Sequence, residues 1–338
     1  PFRTNPIAAP VLASGDCQLV LPTGSEVAVN RLTLPEGPRQ LIREPCDKAT
    51  DQLVFTDSHL GEGYYQFAAF PLASLWQLES DLFYSGHTFS GVGRYLLFRV
   101  LGPTRNMRLE INFTATLLHN GSNSLPPADI VGAKRTPLPF QGRGSTRVYS
   151  QPLKPQMIDG QPYVLVDFGR SGHPVEFPRG GIQGLWGTKT VIDPRYLVGW
   201  IRDVSLVSAS TYRGLRPPAA IAGFPRGLAN PALQYSGLYE DGWMGAHAYA
   251  VLGGGKDQDL VVRGEIPVGV GGPMQVLINN RRVYSGVAKP GALHIRLKVQ
   301  PSSAPRRVEV RFANTVRLPP PDLRPASALL SFLGFVKR

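Results

Sequence analysis

At Glu240-Asp241-Gly-Trp243 two acids stand side by side next to an indole, the most suggestive local group in the chain. Glycoside hydrolysis needs two carboxyl groups about 5 to 9 Å apart, one to give a proton and one to act as base or nucleophile, and an indole face stacks on a pyranose. The same residues also suit a turn, with the acids in solvent and Trp243 in a core. Glu62, Asp167, Glu176 and Asp203 lie near aromatic or glycine-rich stretches without a pattern that ranks them.

Ten aromatic residues fall between Tyr64 and Phe98, against 9% over the whole chain. Tyr64, Tyr65 and Trp76, with Glu79 and Asp81 nearby, have the types of a sugar platform, in which rings cover C–H faces and hydroxyl or carboxylate oxygens bind sugar hydroxyls. Aromatic density also marks sandwich cores and protein contacts, and that reading competes with the first.

Asp257 and Asp259 follow Gly253-Gly-Gly-Lys256 and lie close enough for a cation such as calcium. Calcium takes six or more oxygens and these side chains supply two, so a solvated loop is the competing reading and no cofactor is expected. Lys256 is followed by Asp257 rather than Ser or Thr, so the stretch is a turn and not a phosphate loop. The six histidines are far apart, without the HExxH spacing that sets two imidazoles on one helix face. Asp57-Ser58-His59 holds the residue types of a hydrolase triad, but neighbours on an extended segment point to alternate faces.

Cys17 and Cys46 are the two cysteines, with 28 residues between them. A disulfide would close a loop worth about 3 kcal/mol and fits an oxidising compartment; two buried thiols are the alternative.

Charge is unevenly placed. Residues 260–338 hold 13 Lys and Arg against three acids, a net +10 out of +12 for the chain. Such a module suits an anionic glycan, an acidic protein face or anionic lipid; nucleic acid is disfavoured because no reading helix, finger or aromatic-tracked groove stands out. The apolar run Ala328-Leu-Leu-Ser-Phe-Leu-Gly-Phe-Val ends in Lys337-Arg338. It is too short to span a bilayer, and docking into a neighbouring copy or an envelope protein competes with packing on its own domain. No run of about 18 apolar residues and no signal peptide occur, and a start at Pro1 rather than Met fits a processed N-terminus.

The elements that must position these residues are strands. Apolar and β-branched runs of four to eight residues recur between Gly, Pro, Asn and Asp. From Met107 to Leu117 the alternation is clean, with Met107, Leu109, Ile111, Phe113, Ala115 and Leu117 on one face and Arg108, Glu110, Asn112, Thr114 and Thr116 on the other. Met274–Ile278 and Arg281–Tyr284 flank Asn279-Asn280, a hairpin signal. Pro and Gly interrupt windows long enough for helices, leaving short candidates at Phe70–Leu78 and Pro325–Phe335. Strands without intervening helices indicate an all-β chain of two antiparallel, jelly-roll-like sandwiches with few short helices. The predicted division is a Pro-rich arm at 1–48, a large sandwich at 49–211, a linker at 212–230, a small basic sandwich at 231–318, and a strap with an apolar tail at 319–338.

The strings Tyr239-Glu-Asp-Gly-Trp-Met-Gly, Ala248–Leu252, Leu260-Val-Val-Arg-Gly-Glu-Ile-Pro, Val276-Leu-Ile-Asn-Asn-Arg-Arg-Val-Tyr, Leu293-His-Ile-Arg-Leu-Lys-Val and Val308-Glu-Val-Arg-Phe together resemble the strand grammar of galactose-binding-type jelly-roll modules of bacterial carbohydrate-active proteins. The resemblance covers about a quarter of the chain, at 233–318, and assigns no ligand residue. It implies glycan association outside the cytoplasm. The expectation is therefore a non-catalytic, extracytoplasmic carbohydrate-binding or envelope-associated protein, with a self-assembling surface or filament subunit, and then a glycoside hydrolase or lyase, as alternatives.

Overall fold

A computed structural model describes residues 105–115, 124–131, 134–158, 161–169, 173–176, 192–255, 258–320, 322 and 324–338, together with the strands at 7–8, 18–20, 26–28, 54–60, 63–70, 90–92 and 95–100. The described chain is all-β, with large antiparallel sheets and little helix. The longer strands are β1 (Val54–Leu60), β2 (Gly63–Phe70), β3 (Tyr95–Val100), β4 (Arg108–Ala115), β5 (Ser145–Tyr149), β6 (Gln161–Asp167), β7 (Gly199–Val207), β8 (Gln234–Leu238), β9 (Trp243–Leu252), β10 (Gln258–Ile266), β11 (Gly272–Ile278), β12 (Arg281–Ala288), β13 (Gly291–Lys298), β14 (Arg306–Phe312) and β15 (Ala328–Lys337).

One sheet runs β12–β11–β14–β9–β8–β5–β4–β7 and is shared by two sandwiches. A second sheet, containing β1–β2–β3–β6, contributes to the first core. There the alternation along β4 is realised: Leu109, Ile111 and Phe113 are buried, and Phe113 lies 5.0 Å from Phe168 and 5.4 Å from Phe140, ring centre to ring centre. Through pairing of the start of β9 with β15 the same sheet folds over into a second layer, β13–β10–β15 with Ala220–Ala222 at its edge, which closes the second core. Leu260, Val262, Leu333 and Phe335 pack there with Ala250, Val276, Val308 and Val310 of the shared sheet.

Register shows which face each core uses. Phe113, Thr146, Ser236, Tyr249, Glu309 and Leu277 form one row across the shared sheet, so they point to one side. The adjacent row, Arg147, Tyr235, Ala250, Val308 and Ile278, points to the other, and Tyr235, Ala250 and Val308 lie in the second core. The two sandwiches thus sit on opposite faces of their common sheet, offset along it.

Several expectations need correction or placement. Pro325–Phe335 is not a helix and is not carried away from the sandwich: β15 pairs with β10 along one side, and with Ala220–Ala222 and the start of β9 along the other. Leu330, Leu333 and Phe335 are buried in this chain's own core, which accounts for the tail without a partner's groove. An apolar run of this length suits a doubly flanked strand as well as a buried helix, and strand pairing on both sides decides it here. Two short strands, Val316–Arg317 and Pro325–Ala326, pair with each other, so the chain turns back between them. Residues 212–230 contain Ala220–Ala222, whose Ile221 is fully buried, and β5–β8 pairing joins the regions on either side of them into one sheet. The hairpin forms as predicted, with Ile278 opposite Arg281 and positive φ of 49° and 65° at Asn279 and Asn280. Cys17, Cys46, Trp76, Asp257 and the candidate turn beyond Phe70 lie outside the described residues.

Candidate functional site

Where the second sheet's cover ends, the shared sheet exposes a ledge. The sequence Arg307-Val-Glu-Val-Arg311 explains its chemistry: period-two alternation sends Val308 and Val310 into the second core and puts Arg307, Glu309 and Arg311 on the opposite face. Glu309 is only 2% exposed although it faces away from its own sandwich's core. The cause is the segment 138–143, which reaches over from the first sandwich. Gln141 exchanges hydrogen bonds with Ser236, its N–H donating to Oγ and its carbonyl accepting from the same hydroxyl, both at 2.8 Å. Gly142 makes the approach feasible, because a Cβ there would sit 2.0 Å from the His247 carbonyl oxygen.

The side chains on the ledge fix one another. Glu309 accepts from Gln141 Nε2 and, at 2.7 Å, from Arg311 Nε. Gln141 Oε1 accepts from Arg307, whose guanidinium lies 3.5 Å above the centre of the Tyr249 ring. Tyr249 is buried and donates its hydroxyl to the Pro139 carbonyl at 2.7 Å; burial drives its phenol well above the ordinary range, so it stays protonated. Burial also works to raise the Glu309 carboxyl, but hydrogen bonds from Arg311 and Gln141 and the charges of Arg311 and Arg307 outweigh it and hold the group below its usual value. His247, opposite Arg311 on β9, extends the row in solvent. The result is a fixed carboxylate, amide and two guanidinium groups on one sheet face, suited to polar recognition through paired donors and acceptors.

The structure places the predicted residues as follows. Glu240 and Asp241 occupy the β8–β9 turn, where the Tyr239 N–H donates to the Trp243 carbonyl at 2.8 Å. Asp241 accepts from two nitrogens of Arg324, which also grips Asp322 and stacks 4.6 Å from the Tyr239 ring centre. Burial works to lower the pKa of this guanidinium, but its bonds to Asp322 and Asp241 and their charges outweigh that and raise it. Trp243 is half-buried beside them. Tyr64 and Tyr65 lie on β2, with Tyr65 between Ser58 of β1 and Val100 of β3. Asp259 is corrected as a cation ligand: its two oxygens accept from Arg296 and Arg338, and positive charge occupies the place a metal would take. No group of three or more His, Cys, Asp or Glu side chains suited to a metal occurs among the described residues.

The ledge itself was half visible in the sequence. Arg307, Glu309 and Arg311 stand in one alternating string, but Gln141 and Tyr249 come from distant strands and loops that only the pairing of the shared sheet brings near.

The sequence matches no protein-family description and no curated protein. Among solved structures it is similar to the secreted serine protease VesC from Vibrio cholerae, at 8% identity over 86% of this chain and 64% of that one, with a TM-score of 0.24. The chain thus spans less than two thirds of that protein, and a likeness this slight carries no argument. No helix among the described residues is long and apolar enough to cross a membrane.

Proposed function

We propose that this is a non-catalytic carbohydrate-binding protein of the extracytoplasmic cell envelope, and that the ledge is its saccharide-contacting surface. One observation carries the reading: Gln141, Glu309, Arg311 and Arg307 are locked to one another on the outer side of a sheet. Vicinal sugar hydroxyls donate and accept at close spacing, and fixed planar groups meet them without the cost of ordering side chains on binding. The non-catalytic part rests on the make-up of the ledge: among Gln141, Tyr249, Arg307, Glu309 and Arg311 there is one carboxyl group, where glycoside hydrolysis needs a pair.

The test is a pull-down on soluble and insoluble polysaccharides with reducing-sugar release measured on the same samples. Retention without release, weakened about tenfold or more by Arg311→Ala, is the expected result. Sugar release would favour the hydrolase, and no retention on any glycan would overturn the reading.

Self-assembly is the second reading, favoured by β12 and β13, each of which has one edge without a strand partner among the described residues. Those edges carry Arg281, Arg282, Arg296 and Lys298, and like charges set edge to edge oppose pairing of copies. A filament or large oligomer in size-exclusion chromatography and negative-stain microscopy would reverse this ranking.

A further inference from the structure

A second carboxylate is enclosed on an outer sheet face, on the far side of the second sandwich from the ledge. Along β10, Leu260 and Val262 enter the core, and Asp259, Val261 and Arg263 turn outward. Asp259 stands level with Lys298 of β13 and Val336 of β15, and Val261 with Arg296. From one flank Arg296 donates its Nε to Oδ2 at 2.8 Å, and from the other Arg338 donates its Nε to Oδ1 at 2.8 Å. The Asp259 side chain is 9% exposed, whereas those of Arg296 and Arg338 are 53% and 41% exposed.

This arrangement leaves one net positive charge and, more to the point, a fixed geometry. Each arginine is held through Nε alone, so among the described residues the terminal nitrogens of both guanidinium groups have no hydrogen-bond partner. Those nitrogens form the fork that meets an oxyanion in two parallel bonds. Lys298 and His294 flank Arg296 on the same face of β13, each about 6.8 Å away along the strand, so Lys298 adds a second positive charge beside Arg296 and His294 adds a polar ring.

We propose that the Arg296–Asp259–Arg338 bracket binds the carboxylate or sulfate groups of a linear acidic polysaccharide, with Lys298 and His294 following the polymer. The surface chemistry selects this occupant. The exposed large apolar side chains among the described residues are Val268, Val283 and Val287, none on this face, so nothing here would enter a bilayer. The ring on the face, Phe332, is half-buried with Arg263 5.0 Å from its centre and is not free to stack a nucleobase. The inference stands apart from the ledge, since it uses other residues on the opposite layer of the second sandwich.

The test is a salt titration of full-chain binding to a sulfated polysaccharide, a polyuronate, neutral dextran, double-stranded DNA and phosphatidylserine vesicles. The two acidic polysaccharides are expected to bind and dextran is not. The double variant Arg296→Gln/Arg338→Gln is expected to weaken binding about tenfold or more, while Arg281→Gln/Arg282→Gln, an equal loss of charge on β12, changes it less than twofold. Asp259→Asn adds positive charge but releases both forks, so weaker binding supports an oriented site and tighter binding overturns it. Thermal melting shows whether that variant folds; if it does not, the exposed arginine pair decides. Equal loss in the two double variants, or stronger binding to DNA or vesicles than to either polysaccharide, would also overturn the proposal. Loss of acidic-polymer binding in Glu309→Gln, with the Arg296→Gln/Arg338→Gln variant binding as the unaltered chain does, would assign the binding to the ledge instead and overturn the proposal.

Discussion

Glu309 joins the chemistry of the ledge to the stability of the chain. Its carboxyl titrates below the ordinary 4.5, so at moderately acid pH the unfolded chain binds more protons than the folded one. The stabilisation is complete above the unfolded value and is lost as pH falls through the lower, folded one. Urea unfolding followed from about pH 6 to pH 3 is expected to show this loss, and Glu309→Gln is expected to flatten it. Glu309→Leu leaves Arg311 and Arg307 around an apolar group and is expected to cost about 1–3 kcal/mol at neutral pH, measured by the same method. Arg307, Glu309 and Arg311 were legible together because a strand's alternation is written locally. Gln141 was not, because its position depends on the offset of two sandwiches and no local pattern encodes that offset.

At the scale of elements, local signals succeeded where one face of a strand is wet. The burial of Leu109, Ile111 and Phe113 follows from alternation alone, and the Asn279-Asn280 turn follows from the tolerance of asparagine for positive φ. Asn280→Gly is expected to leave stability nearly unchanged, whereas Asn280→Val should cost about 1–2 kcal/mol in denaturant unfolding, since a β-branched residue is strained there. The local signal failed at β15, where strands on both sides and core beneath leave a nearly continuous apolar run without a diagnostic period. Leu333→Ala is expected to cost about 2–5 kcal/mol because that side chain is fully buried. Gly334→Ala tests the neighbouring strand: a Cβ there would lie 2.2 Å from the Ala220 Cβ, so Ala220–Ala222 must move away. Chemical-shift changes confined to these strands would verify it.

At the scale of the whole molecule, sequence order gave the right fold class, while the sharing of a sheet was hidden in long-range pairing. Thr146 ties the seam by donating its hydroxyl to the Tyr235 carbonyl at 3.0 Å, in addition to the β5–β8 ladder. Because the strands of that ladder belong to one sheet with a core on each face, the two sandwiches are expected to unfold together. Calorimetry should give one transition with equal calorimetric and van't Hoff enthalpies, and two resolved transitions would contradict that coupling.

The seam has a further consequence for hydrogen exchange. β5 is flanked by β4 and β8, and β8 by β5 and β9, so opening either strand disturbs pairing on both sides. Backbone amides of β5 and β8 should therefore trade protons for deuterons only through global opening, with exchange rates that track denaturant in the same way as the whole molecule. Amides on the edge of β12 that has no strand partner among the described residues should exchange through local fraying and be nearly indifferent to denaturant. A mass-spectrometric time course would then divide the molecule by depth within its common sheet, across the boundary between its two sandwiches.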